Sequence, residues 1–209
     1  MASLLLPIIY LAFISLGLPD ALLGAAWPTM YPQLGAQVSW AGGVSMIISA
    51  CTILSALASD RLNERLGTGR VTAISVATTA AALLGFSFCH AFWQLCLWAI
   101  PYGLGAGSVD AALNNYVALH YKSRHMSWLH CMWGVGASLG PVIMGQALAG
   151  SGWQGGYRII GILQVVLTVV LLFSLPLWKL PQDAMGGEPF TPQHRSFPEL
   201  LKITGVPEV

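Results

Sequence analysis

The feature that most constrains this chain is a series of apolar stretches, each long enough to cross a bilayer. A transmembrane helix needs about 20 mainly apolar residues. Each stretch should be a helix, because a helix satisfies its own backbone hydrogen bonds in lipid. We therefore predict an all-α membrane protein whose residues 1–179 form a six-helix bundle. The predicted spans cover residues 4–30, 38–58, 71–89, 93–118, 127–149 and 157–178.

The composition agrees with this class. Charged residues make up 8% of the chain, whereas a soluble domain carries roughly 25%. A net charge of +1 with no long basic cluster argues against a nucleic-acid partner. The cysteines form no CxxC pair, so we predict neither a metal site nor redox chemistry. They are Cys51, Cys89, Cys96 and Cys131.

The distribution of Lys and Arg predicts the topology. Only Arg158 lies beyond an odd-numbered span, and the positive-inside rule then places both termini in the cytoplasm. No Lys or Arg precedes Arg61, so the first stretch is interpreted as a retained span, not a signal peptide. We expect a multi-pass protein of the cell membrane (plasma or inner). The cations on the cytoplasmic side are Arg61, Arg65, Arg70, Lys122, Arg124, Lys179, Arg195 and Lys202.

Residues 180–209 differ in character from the rest of the chain. They are polar and rich in Pro and Gly, and they include a short amphipathic stretch over 197–203. We predict a cytoplasmic linker or tail with one interfacial helix at most.

Two short segments resemble each other, and each places an aspartate inside an apolar run. They are residues 17–23, with Asp20, and residues 107–113, with Asp110. Because three spans is an odd number, spans four to six would repeat spans one to three in inverted orientation. Inverted three-helix repeats with a site near the midplane occur in several transporter folds. A carboxylate in hydrocarbon is costly, so both aspartates are candidate functional residues.

Asp110 shares its predicted helix face with Gly107 and Asn114, and Asn115 adds a second amide. Gly103 and Gly107 form a small-xxx-small pattern, which favours close helix packing. We expect this polar stripe to face a water-filled cavity, where Asp110 binds a proton or a substrate. The alternative is a structural aspartate paired with a neighbouring helix.

Asp20 follows Pro19, which is expected to break the first span, and broken helices expose backbone at binding sites. Trp27 lies two turns further on. An aromatic ring beside a carboxylate suits a sugar, which stacks one face and hydrogen-bonds its hydroxyls. The alternative is that Trp27 anchors the helix at the membrane interface.

Span five contributes His130 and Trp133. A membrane histidine can relay protons, or it can be a satisfied hydrogen-bonding group between helices. Gln146 and Gln164 are weaker polar candidates of the same kind. Trp133 is a candidate aromatic wall of the site, and core packing is the alternative.

The segment 59–70 concentrates charge between spans two and three. We predict a cytoplasmic loop in which these side chains form a salt-bridge and capping network that gates the transporter. The alternative is that they only determine topology. The gating candidates are Asp60, Arg61, Arg65 and Arg70.

These residues resemble a known family. Asp60-Arg61 with Arg65, Gly67 and Arg70 is similar to the conserved cytoplasmic loop of the major facilitator superfamily, with extra residues between Arg61 and Gly67. The chain resembles the N-terminal six-helix half of such a transporter. That resemblance implies alternating access around a site shared with a second six-helix half, on the same chain, a separate chain or a homodimer.

Within the superfamily, Asp20-Ala-Leu-Leu and Asp110-Ala-Ala-Leu-Asn-Asn look like the fucose permease group of sugar:proton symporters, which often has Glu in place of Asp110. The resemblance implies that these acidic residues bind substrate and couple transport to protons. It implies a proton gradient as driving force and no cofactor.

A second resemblance favours drug:proton antiport. Gly136-Ala-Ser-Leu-Gly140-Pro141 is similar to the span-five signature of those exporters, although Gly145 arrives late. Close helix packing alone also explains this pattern.

Two further alternatives differ in class. An intramembrane serine protease would need a histidine after Ser138, but only His194 in the polar tail follows His130, so we predict no enzyme. The chain could also be a non-transporting fragment, because a lone half would expose its polar stripe to lipid. The expected partners are a small-molecule substrate, the bilayer and the second half.

Overall fold

The computed structural model describes residues 4–179, and the secondary structure of that range consists of helices joined by short turns. A short 3₁₀-helix, Leu175–Lys179, follows the last α-helix. The predicted tail, 180–209, lies outside the described residues. The α-helices of the described part are α1 (Leu5–Gly17), α2 (Leu22–Gln33), α3 (Trp40–Leu66), α4 (Thr68–Ser87), α5 (Phe92–His120), α6 (Ser123–Leu148) and α7 (Gly152–Ser174).

Within residues 4–179, five helical stretches are long and apolar enough to cross a membrane. The first of them, Leu5–Gln33, comprises α1 and α2 together. The predicted span over 93–118 coincides with α5, which has 29 residues but is not one of the five. Polar side chains such as Asp110 and Asn114 lower the hydropathy of this helix. It nevertheless packs against both α3 and α4, in the interior of the bundle.

The predicted loop over 59–70 is wrong. Helix α3 continues to Leu66 and α4 begins at Thr68, so Gly67 alone separates them. Gly67 makes the turn with φ +80°, a conformation that favours glycine. Charge marks where a helix leaves the hydrocarbon, whereas the Arg, Leu and Glu residues of this segment are good helix formers and extend α3 beyond it. The connection between the predicted spans 93–118 and 127–149 is likewise shorter than expected, with two residues between α5 and α6.

The first span is interrupted at Pro19, as its sequence predicts. Helix α1 ends at Gly17, and the next turn is tight: the Asp20 N–H donates to the Gly17 carbonyl at 3.2 Å, and Leu22 N–H to the Pro19 carbonyl at 3.1 Å. Asp110, by contrast, lies within the continuous helix α5. The two similar segments therefore differ in backbone structure, and the inverted repeat stays a prediction, as do the positions of the termini.

Glycines bring the helices together at two interfaces. Gly103 and Gly107 of α5 lie against the backbone of α3, and Gly136 and Gly140 of α6 lie against α1 and the turn that follows it. A Cβ atom on Gly136 would overlap the Ile14 carbonyl. Backbone contacts of this kind fix α5 relative to α3, and α6 relative to the interrupted first span. Pro141 follows in α6 without ending that helix.

The interruption lies between two apolar clusters. Leu16 belongs to a cluster with Phe13, Val109 and Leu129, whereas Leu18 belongs to a second cluster with residues of α2, α4, α5 and α7. Asp20 therefore follows the point where the chain passes from one cluster to the other.

Candidate functional site

Asp20 accepts hydrogen bonds on both carboxylate oxygens. The Tyr102 hydroxyl of α5 donates to Oδ1 at 3.3 Å, and the Trp133 indole Nε1–H of α6 donates to Oδ2 at 2.8 Å. The turn after α1 places Asp20 where both helices reach it. A carboxylate thus joins three helices at the interrupted part of the first span. Hydrogen bonds to an ionised acceptor are roughly twice as strong as neutral ones.

Asp110 lies about two helical turns beyond Tyr102 on α5. The Asn114 Nδ2 donates to its Oδ1 at 3.0 Å. The Oδ1 atom of Asn114 is buried and has no hydrogen-bond partner in the described part of the chain. The amide therefore keeps one acceptor available beside the carboxylate.

The two carboxylates line one cavity, with a volume of about 360 Å³. It lies between α1 with its following turn, α3, α5 and α6, and it also contains His130 and Trp133. The edge of Phe13 faces the His130 ring, with centroids 6.2 Å apart. Four of the predicted site residues thus share one space. The complete lining is Phe13, Leu16, Asp20, Ile48, Thr52, Tyr102, Ala106, Asp110, His130 and Trp133.

A smaller cavity of about 200 Å³ lies on the other side of Asp20. It extends towards α4 and α7 and includes Phe86 and Tyr157. Asp20, Ile48 and Tyr102 line both cavities, so the Tyr102–Asp20 hydrogen bond stands between them. Ser45 and Ser49 of α3 add hydroxyl groups to the aromatic and apolar lining of this second cavity.

Sequence reasoning missed Tyr102. It is buried, and eight residues separate it from Asp110 on the same helix. Two turns of spacing place residues on one helix face, so extending the polar stripe of Asp110 backwards by that spacing would have found it.

Three predicted residues, Trp27, Asn114 and Asn115, line neither of these cavities. Trp27 is buried, donates its indole N–H to the Val38 carbonyl at 2.8 Å, and packs edge-on against Phe92. Asn115 is exposed and is not among the lining residues of either cavity. The tight turn at Asp20 changes the helical phase, so the spacing to Trp27 no longer places the two on one face.

The charged residues near Gly67 lie at one end of the bundle. Asp60, Arg61 and Arg65 are exposed on the last turns of α3, and Arg70 is exposed on the first turn of α4. A groove beside Arg70 extends to Trp178. Gating by these residues stays a prediction.

Metal binding finds no support in the described part of the chain. No group of three or more His, Cys, Asp or Glu side chains in residues 4–179 is arranged to hold an ion. The site offers carboxylates, an imidazole, a phenol and an indole, all of which can take part in hydrogen bonds.

A bundle of apolar helices around a cavity with paired carboxylates defines a class, the multi-pass membrane transporters. The family model of the Major Facilitator Superfamily matches residues 9–207, and the chain belongs to this superfamily. No match to a curated protein was found. The chain is therefore a secondary transporter and an integral membrane protein, because members of this family are transporters and not enzymes.

Proposed function

We propose that the chain is the N-terminal half of a proton-coupled symporter for a sugar or a similar small polar solute. The observation that carries this proposal is the cavity of about 360 Å³ that contains Asp20, Asp110, His130 and Trp133. Transport would follow alternating access, with the half rocking against a second bundle around this site.

The aromatic and acidic groups support a polyhydroxyl substrate. The Trp133 ring borders the cavity, and its N–H already engages Asp20 at 2.8 Å. A sugar could stack an apolar face on this ring, while its hydroxyls donate to the carboxylates of Asp20 and Asp110. Sites built to hydrogen-bond hydroxyls reject analogues that lack them, because buried polar groups are then left unpaired.

The second carboxylate supports proton coupling. Asp110 and His130 line the same cavity and are both exposed to it. Ionisable groups inside membrane spans commonly form proton pathways. We assign the transported proton to Asp110 and the substrate contact to Asp20, since Asp20 has two donors holding it in place.

Exposure supports a second six-helix half. In the apolar 18-residue stretch of each helix, 67% of the α4 stretch is buried inside the bundle, but only 11% of the α3 stretch and 22% of the α6 stretch. The cavity that contains Asp20 and Asp110 is lined in part by α3 and α6, and both carboxylates are exposed. Facing them towards lipid would be costly, so a further bundle should cover them, from the same chain, a separate chain or a second copy. The acidic residues in both segments support the fucose permease group, as the sequence resemblance implies.

Uptake of radiolabelled sugars by cells expressing the protein in its native form tests this proposal. We expect one or more sugars to accumulate under an inward proton gradient. Asp20→Asn should reduce uptake at least tenfold. Thr78→Val, which removes a local hydrogen bond within α4 and lies in neither cavity, is the control and should transport normally.

Two outcomes would contradict the proposal. Sugar accumulation that persists in Asp20→Asn would show that Asp20 is not part of the substrate site. Extrusion of lipophilic dyes without uptake of any sugar would favour the drug antiporter, and the glycines of α6 would then belong to that signature.

A further inference from the structure

Pro19 leaves one backbone carbonyl of α1 without its ordinary donor. In an α-helix, the carbonyl of residue i accepts from the N–H of residue i+4. Proline has no N–H, so Pro19 cannot donate to the carbonyl of Ser15. That carbonyl lies in the bundle interior, because Ser15 is buried. An unpaired backbone group costs free energy where water is absent.

A side chain of α7 supplies the missing donor. The Gln164 Nε2 donates to the Ser15 carbonyl oxygen at 2.5 Å, across helices 149 residues apart in sequence. Gln164 is 2% exposed, and its Oε1 has no partner in the described residues. The amide is therefore oriented for this single contact, since the reverse orientation would bring two acceptors together.

We propose that Gln164 is a positioning residue: its amide replaces the N–H that Pro19 lacks and fixes the interrupted helix that presents Asp20. The last turn of α1 is held from two sides. Gly136 and Gly140 of α6 contact the backbone around Ile14 and Leu18, and Gln164 holds the Ser15 carbonyl from α7. Gln164 lines neither cavity, so it acts on the solute only through Asp20. Only this last consequence rests on the proposed function.

A double-mutant cycle between positions 19 and 164 tests the inference through thermal unfolding in detergent. Gln164→Leu should lower the Tm by about 4 °C, because a hydrogen bond between helices is lost and a carbonyl is left unpaired. In the Pro19→Ala background, the alanine N–H can donate to Ser15, and the same substitution should cost less than about 1 °C. Thr78→Val, which removes an equivalent local hydrogen bond to the Ile74 carbonyl within α4, is the matched control. Its cost should be equal in both backgrounds.

Equal losses for Gln164→Leu in both backgrounds would overturn the inference. If Gln164→Leu fails to fold with Pro19 present, it should still fold with Pro19→Ala, and failure in both backgrounds would count equally against it.

A second measurement follows the position of Asp20 directly. The Trp133 indole N–H resonance, assigned with Trp133→Phe, reports the 2.8 Å bond to Asp20. Gln164→Leu should move this resonance upfield, and Thr78→Val should not. An unmoved resonance would show that Gln164 does not position Asp20. Unchanged sugar uptake together with a moved resonance would instead count against the proposed role of Asp20.

Discussion

Replacement of Gly136 by alanine should separate α6 from α1 and disturb the site one turn away. A Cβ atom at this position would overlap the Ile14 carbonyl and approach the backbone N of Leu18 to 3.0 Å. Carbon–oxygen contacts between helices normally lie at about 3.3 Å or more, so α6 must retreat by roughly 1 Å. Backbone cannot move aside as a flexible side chain can, and overpacking of this kind costs about 2 kcal/mol.

The same helix provides the control. A Cβ atom on Gly134 meets nothing within 4 Å. Gly134→Ala should therefore stabilise α6 by about 0.8 kcal/mol through helix propensity alone. The two alanine variants should differ by about 3 kcal/mol, which corresponds to a Tm difference of about 8 °C.

Thermal unfolding in detergent measures this difference, with labelling of the buried Cys89 thiol by a dye as the readout of unfolding. The effect should reach transport as well, because a retreat of about 1 Å would stretch the Trp133–Asp20 hydrogen bond beyond bonding distance. If Gly136→Ala is as stable as Gly134→Ala, the close contact between α6 and α1 does not exist in the protein, and the geometry of the site is wrong.

Three further predictions follow from hydrogen bonds. Trp133→Phe leaves a smaller aromatic ring and removes the 2.8 Å donor to Asp20, and should weaken apparent solute affinity about tenfold in uptake assays. Tyr102→Phe removes the longer 3.3 Å bond and should cost less, about threefold; a larger loss than that of Trp133→Phe would reverse the order of the two donors. Ser55→Ala and Ser108→Ala each remove the hydrogen bond between the two hydroxyls, which joins α3 to α5. Their effects on the free energy of unfolding should be non-additive, with the second change costing less than the first. Strict additivity would contradict this hydrogen bond.

The sequence could predict the helical class and the central residues of the site. Hydropathy runs identify spans, because lipid leaves the backbone few alternatives to helix. Asp20, Asp110, His130 and Trp133 were identifiable because polar groups are rare inside such runs, and the structure gathers all four around one cavity.

The limits of sequence reasoning have physical causes. The charges that begin at Asp60 predict that the second span ends near residue 58, but α3 extends to Leu66, since helix propensity continues beyond the hydrocarbon. The expected pairing of Trp27 with Asp20 assumed one helical phase, which the turn after Gly17 interrupts.

The sequence also could not predict which side chains meet across two helices. That Gln164 donates to Ser15 depends on which faces of α1 and α7 meet, and no local pattern encodes this contact. The role of Tyr102 depends in the same way on the approach of the turn to α5. Local periodicity predicts which residues share a helix face, but not which face of a neighbouring helix lies opposite.

Solute exchange in proteoliposomes, with the protein in its native assembly, tests the central claim most directly. The account predicts that Asp110→Asn retains exchange of a transported sugar at equal concentrations but loses accumulation driven by a pH gradient. The wild-type protein should take up protons together with the sugar. Accumulation by Asp110→Asn equal to that of the wild type would contradict the assignment of the coupled proton to this cavity.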